Sequence, residues 1–169
     1  MTAYDWFALV AVLICILLSA FFAGSETALI ASSRASMHRL EKQGNRRAAL
    51  VNRLLSARER LIGVLLFGNN AVNIAASALA TGVLLAWFGE VGVIYATVVM
   101  TIVIVVFAEV LPKTAAFNAP NRLALAVARP IDWTVRVLAP VLIGVEWIVK
   151  WVLDGWDEGR GNRIDSFAP

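Results

Sequence analysis

The sequence predicts an all-α integral membrane protein, with three transmembrane helices per chain, short cytoplasmic helices and an interfacial juxtamembrane helix. Three observations carry this. The 169 residues are 60% hydrophobic, where soluble domains are nearer half. The apolar residues gather in three uncharged runs, 6–25 (20 residues), 61–89 (29 residues) and 91–108 (18 residues), and about 20 apolar residues as a helix cross a bilayer. All fifteen Lys and Arg avoid these runs: eight lie from Arg34 to Arg60 and seven from Lys113 onward.

The first crossing, about residues 4–25, is expected to be retained rather than cleaved as a signal peptide. No Lys or Arg precedes it and no clear small-x-small site follows it. Its lone Cys15 has no partner for an internal disulfide and reads as a small apolar residue. Gly24-Ser25 interrupts the apolar pattern and is expected to loosen the helix there.

The segment 32–60 is charged, with Met37 and Leu40, then Val51, Leu54 and Leu55, at helical spacing around a Gly44-Asn45 turn signal. Two short helices follow from that. The second and third crossings, about 61–88 and 91–112, are joined by a very short turn at Gly89-Glu90. Positive charge stays on the cytoplasmic side of a membrane. The expected orientation therefore has the N-terminus outside, the basic 32–60 segment inside and the C-terminus inside, in the cell (inner) membrane. Topology accounts for the basic clusters, so no nucleic-acid partner is expected.

After Arg129 the chain is again hydrophobic. At about 100° per residue, Asp132, Arg136, Glu146, Lys150 and Asp154 fall within an arc of about 80°. Trp133, Trp147 and Trp151 border that arc, and Val141, Val145, Ile148 and Val152 lie opposite. A charged stripe flanked by tryptophans describes a helix lying in the membrane interface. We read residues about 130–154 as such a helix, kinked at Pro140, rather than as a fourth crossing. The membrane domain then covers 1–156, and 157–169 is a polar tail or the start of a linker.

Polar residues interrupt the apolar runs at chosen places. Ser19, Ala23 and Glu26 share a face of the first helix. Asn69, Asn73 and Ser77 form a stripe on the second, Asn70 at its edge, with Gly68 before it allowing close approach. Asn73 is about 20 Å from Arg60 along the helix, near the membrane middle. The third run ends in Glu109 and Pro112. Proline lacks an N–H, so the α-helical bond to the Ala108 carbonyl cannot form, and such a group in lipid needs a partner or a wet cavity.

Together these are hydroxyl, amide, carboxylate and carbonyl oxygens, without a usable thiol or imidazole. Oxygen-only sites suit Mg²⁺, Ca²⁺ or Na⁺, and an intramembrane glutamate points to function. Packing is the alternative: Asn and Ser join membrane helices by hydrogen bonds, and Glu109 could pair with Lys113 at i+4. Spacing alone leaves both open. No enzymatic chemistry is expected, since H-E-x-x-H, G-x-S-x-G and paired intramembrane aspartates are all missing from the sequence.

The segments LSAFFAGSETAL (18–29), GNNAVN (68–73) and FAEVLPKTAA (107–116) resemble, in order and spacing, the transmembrane domain of the CNNM/CorC family of magnesium transporters. The resemblance covers nearly the whole chain. It implies a homodimer in the lipid bilayer; the small residues at four-residue spacing (Ala71/Ala75, Ala78/Gly82, Gly92/Ala96) lead us to expect that the second and third helices mainly close it. It implies Mg²⁺ as the transported ion, exported in exchange with Na⁺, and a juxtamembrane belt. By position it carries the metal site onto Ser19, Ser25, Asn69, Asn73 and Glu109, with Pro112 as the helix break beside it. Members normally continue into a cytosolic CBS-domain pair that binds ATP, and that pair is absent from these 169 residues. A truncated or minimal member without nucleotide regulation is expected. The competing function is a non-transporting membrane anchor, or a Mg²⁺ sensor regulating other transporters.

Overall fold

The computed structural model describes residues 3–161, with side chains over 5–147 except 142, 145 and 146. It contains α1 (Ala3–Ala31), α2 (Arg34–Lys42), α3 (Arg46–Ser56), α4 (Arg58–Phe88), α5 (Val91–Val103), a π-helical segment (Ile104–Val110), α6 (Leu111–Asn118) and α7 (Pro120–Gly161). Three helical stretches are long and apolar enough to span a membrane: Asp5–Ala31, Arg58–Phe88 and Val91–Asn118. The protein is an all-α, multi-pass membrane protein.

Helix α1 is central. It packs against α4 along its length and against the π segment, α6 and α7. The third span changes neighbour midway: α5 packs on α4, whereas the π segment and α6 pack on α1. Val12 of α1, Ala76 and Ala80 of α4 and Met100 of α5 close the half nearer the α4–α5 turn. At the basic end Phe22 and Leu29 of α1 meet Met37, Val51, Leu54, Leu55, Leu61, Leu65, Ala128 and Ile131. That second cluster holds α2, α3 and α7 beneath the spans.

Local chemistry sets the boundaries. Ser33 and Asn45 cap α2 and α3 by accepting N–H groups of the first turns, as short polar side chains do. Gly44 between them adopts φ +86°, which only glycine takes at little cost. At the other end, Trp87 Nε1 donates to the buried Asp5 at 3.2 Å, joining α4 to the start of α1. Gly92 is forced by contact: a Cβ there would stand 2.1 Å from the Leu84 carbonyl oxygen.

Several expectations change. Helix α1 does not loosen at Gly24-Ser25 but continues to Ala31, because Gly24 lies against the third span. Helix α7 starts near residue 120, not 130, and it is continuous through Pro130 and Pro140 to Gly161. Pro120 suits a first helical turn, and Ala124, Ala128 and Ile131 supply a fully buried face. The helix also takes in the first residues of the expected tail. Trp133 and Trp147 are exposed, at 68% and 69%. The side chains of Val145, Glu146, Ile148, Lys150, Trp151, Val152 and Asp154, and residues 162–169, lie outside the described residues.

The small residues of the expected dimer face divide. Ala71, Ala75, Ala78 and Gly82 are exposed along α4. Gly92 and Ala96 are buried, spent on packing α5 against α4.

Candidate metal site

The site is built where α1 runs between α4 and the inner half of the third span. Ser19, fully buried, donates from Oγ to Asn69 Oδ1 at 2.7 Å. This fixes α1 and α4 in register. Gly68, beside Asn69, makes the approach possible: the Phe22 ring comes within 3.0 Å of where a Cβ would be. A serine that donates its proton keeps its oxygen lone pairs for another partner.

Two further oxygens are unsatisfied. Ser25 Oγ and Asn73 Oδ1 are buried without a hydrogen-bond partner among the described residues. A buried orphan acceptor costs ~1–3 kcal/mol, so each calls for a water or an ion. Helix rise gives their depth. Taking Ser19 as level with Asn69, Asn73 lies about 6 Å toward the α4–α5 turn and Ser25 about 9 Å toward the basic end.

The third span contributes through its π segment. Leu111 N–H donates to the Val106 carbonyl, an i−5 bond in place of i−4. The expectation that Pro112 frees the Ala108 carbonyl assumed an α register. Carried one residue on, the observed register sets the missing Pro112 N–H against the Phe107 carbonyl. Pro112 packs on Gly24, whose Cβ would lie 3.5 Å from both the Pro112 Cβ and its carbonyl oxygen. This places Glu109, three residues earlier, about level with Phe21, between the Ser19–Asn69 pair and Ser25. Glu109 is half-buried. It forms no ion pair with Lys113, nor with any other described residue, so the neutralising i+4 pair allowed by the sequence is not made.

The predicted residues therefore do not form one tight cluster. Among the described residues, Ser19 and Asn69 are the two members of the set joined by a hydrogen bond. The set extends over about 15 Å of depth, from Asn73 to Ser25, whereas oxygens bound directly to Mg²⁺ sit 2.0–2.1 Å from it. The arrangement is a polar track along α1. Among the described residues no three His, Cys, Asp or Glu are grouped to hold a metal, so the donors would be neutral oxygens with Glu109 as the charge. The sequence reading missed Gly24 as a packing residue, although its place in the apolar run marks it. It also missed the π segment, for which no residue pattern before Pro112 gives a signal.

Comparison with known proteins agrees with this architecture. A family model described as the cyclin M transmembrane N-terminal domain (CNNM) matches residues 10–164. The chain is 43% identical over 133 residues to the UPF0053 inner membrane protein YfjD of Escherichia coli, covering 79% of this chain and 30% of that protein. It is 34% identical over 153 residues to a UPF0053 protein of Haemophilus influenzae, covering 90% of this chain and 36% of that one. A chloroplastic DUF21 domain-containing protein of Arabidopsis thaliana is 38% identical over 125 residues, 73% of this chain and 19% of its own. The chain thus spans about a third or less of the length of these relatives. With three spans and a family match over nearly its whole length, the chain belongs to the CNNM family of transmembrane domains.

Proposed function

We propose that this domain carries Mg²⁺ across the membrane along the Ser19–Asn69–Asn73–Glu109–Ser25 track. One observation carries the proposal: Ser25 Oγ and Asn73 Oδ1 are buried and unpaired on either side of the Ser19–Asn69 bond and Glu109. A packing network would satisfy its members; a permeation path leaves acceptors for a passing cation. The donors are all oxygen, as a hard cation requires. Because they lie at successive depths, an ion meets a few protein oxygens at a time and exchanges them with water as it moves.

The finer features rest on the family resemblance. Transport is export, with Na⁺ as the coupling ion. The domain works as a homodimer in the cell membrane, and the exposed small residues of α4 suit close helix contact. The basic end, with α2, α3 and α7, faces the cytoplasm, in keeping with the charge distribution. Cysteine labelling at Asn45 and near residue 154 should report the same side. The competing role is an anchor or sensor for the further two-thirds of the chain found in the relatives.

Mg²⁺ efflux from liposomes holding this chain, with and without an imposed Na⁺ gradient, tests the function. Flux abolished by Glu109→Gln is the expected result. Mg²⁺ binding by calorimetry without flux from any oriented preparation would favour the sensor.

A further inference from the structure

Beneath the spans, away from the polar track, a cavity of about 200 Å³ opens between the α3–α4 junction and α7. Its polar lining is Arg53, Arg60, Asp132 and Arg136, and its apolar lining includes Leu61 and Val135. Three guanidinium groups face one carboxylate. Asp132 is the half-buried member and binds both Arg53 and Arg136, the latter at 2.6 Å. It holds the two guanidinium groups at the cavity wall and neutralises one charge. Arg60 is exposed and forms no ion pair among the described residues. The cavity therefore keeps an excess positive charge, with two of its three guanidinium groups held by Asp132.

We propose that this cavity binds the phosphate of an anionic phospholipid headgroup. Arginine suits phosphate because its planar donors engage two oxygens at once. The position favours a lipid over a soluble phosphate. Arg60 is the last charged residue before the uncharged run 61–89, so its side chain stands at headgroup depth. Leu61, one residue on and itself part of the buried basic-end cluster, forms apolar wall of the same cavity, so the charged lining lies where the apolar span begins. Trp133, beside Asp132, is 68% exposed, as interfacial tryptophans are. Basic cavities at the ends of membrane helices bind anionic headgroups in this way. A headgroup here would tie α7 to α4, and so tie the juxtamembrane helix to the second span.

The test is native mass spectrometry of the purified chain incubated with phosphatidylglycerol or phosphatidylcholine. Phosphatidylglycerol should be retained in preference. Arg60→Gln should weaken that retention about fivefold, the factor to which ~1 kcal/mol per arginine at an anionic surface converts. Arg60 is exposed and unpaired, so the variant should fold. Arg47→Gln removes the same charge from exposed α3 surface outside the cavity and should leave retention unchanged. Equal retention of the two lipids, or equal weakening by Arg60→Gln and Arg47→Gln, would overturn the proposal. Displacement of phosphatidylglycerol by inorganic phosphate at comparable concentration would show a soluble-phosphate site and overturn the lipid assignment. Neither result depends on Mg²⁺ transport.

Discussion

Ser19 and Asn69 form a 2.7 Å hydrogen bond across the α1–α4 contact, and the unpaired oxygens of the bundle lie above and below it. The pair is a joint and, in the proposed track, also a ligand set. Its two roles separate by experiment. Ser19→Ala and Asn69→Ala should show a coupling energy of about 0.6–1.7 kcal/mol in a double-mutant cycle, the range for hydrogen bonds between membrane helices. Reversible unfolding in mixed micelles supplies the stabilities. Each single variant should also lose most Mg²⁺ binding by calorimetry. A coupling near zero would mean that the bond is incidental to the α1–α4 register.

Gly68 is a second constraint on the same contact. The Phe22 ring already stands 3.0–3.2 Å from the position of an added Cβ, and Phe22 is a buried member of the basic-end cluster. Gly68→Ala should lower stability by ~1–2 kcal/mol through overpacking, in spite of alanine's better helix propensity. Gly144→Ala, with nothing within 4 Å of the new methyl, should be neutral or stabilising by up to ~1 kcal/mol. Thermal unfolding of both variants in one detergent checks the contrast. Equal shifts would show that Phe22 moves aside freely.

The three spans were legible because lipid permits few solutions: an uncharged run of that length must be a helix with every backbone group satisfied. The polar residues were legible for the same reason, since Asn69, Asn73 and Glu109 are costly in an apolar run. The depth of Asn73 within its own span could be counted from Arg60, but the depths of the polar residues relative to one another could not, because these depend on how α1 pairs with α4 and the third span. Gly24 shows the limit well. Taken alone it weakens a helix, and only Pro112 opposite explains its place. The start of α7 escaped because Ala124 and Ala128 look featureless until α3 covers them. The π segment lies where the third span passes from α4 to α1, a change of neighbour that the sequence does not mark.

Asp132 should act as the fastener of α7. It binds Arg53 of α3 and Arg136 one turn along its own helix. Both arginines are more than half exposed, so solvent screens the pair and Asp132→Asn should cost less than ~1 kcal/mol of global stability. Local effects should be larger. Amide hydrogen exchange in 129–137 should quicken, while exchange in the α1–α4 contact stays as in the parent. Unchanged exchange in α7 would show that Ile131 and the apolar cluster, with the Ser33–Asn121 bond, hold it without Asp132.

Glu109 is the one carboxylate in the third span, and it stands between the Ser19–Asn69 pair and Ser25. Mg²⁺ prefers about six oxygens and gives up water reluctantly. Because the neutral donors are spread over about 15 Å, only a few can touch the ion at any one depth. Dipoles in that number do not replace a hydration shell, so in the proposed track a full negative charge midway is what would make entry favourable. Lys113 is half-buried one turn further toward the basic end and is not paired with Glu109 in the described structure. The Glu109 charge is thus free to act on a cation. Glu109→Gln keeps size, removes the charge and turns one acceptor oxygen into an NH₂ donor. It should abolish calorimetric Mg²⁺ binding and liposome flux, while thermal unfolding without Mg²⁺ stays within a few degrees of the parent. Lys113→Gln should change Mg²⁺ affinity by less than about threefold, since a lysine one turn nearer the basic end is expected to snorkel to the membrane surface, where its charge is screened. If Glu109→Gln bound Mg²⁺ as the parent does, the charge would serve only to mark the end of the third span, and the track would have to work through dipoles alone.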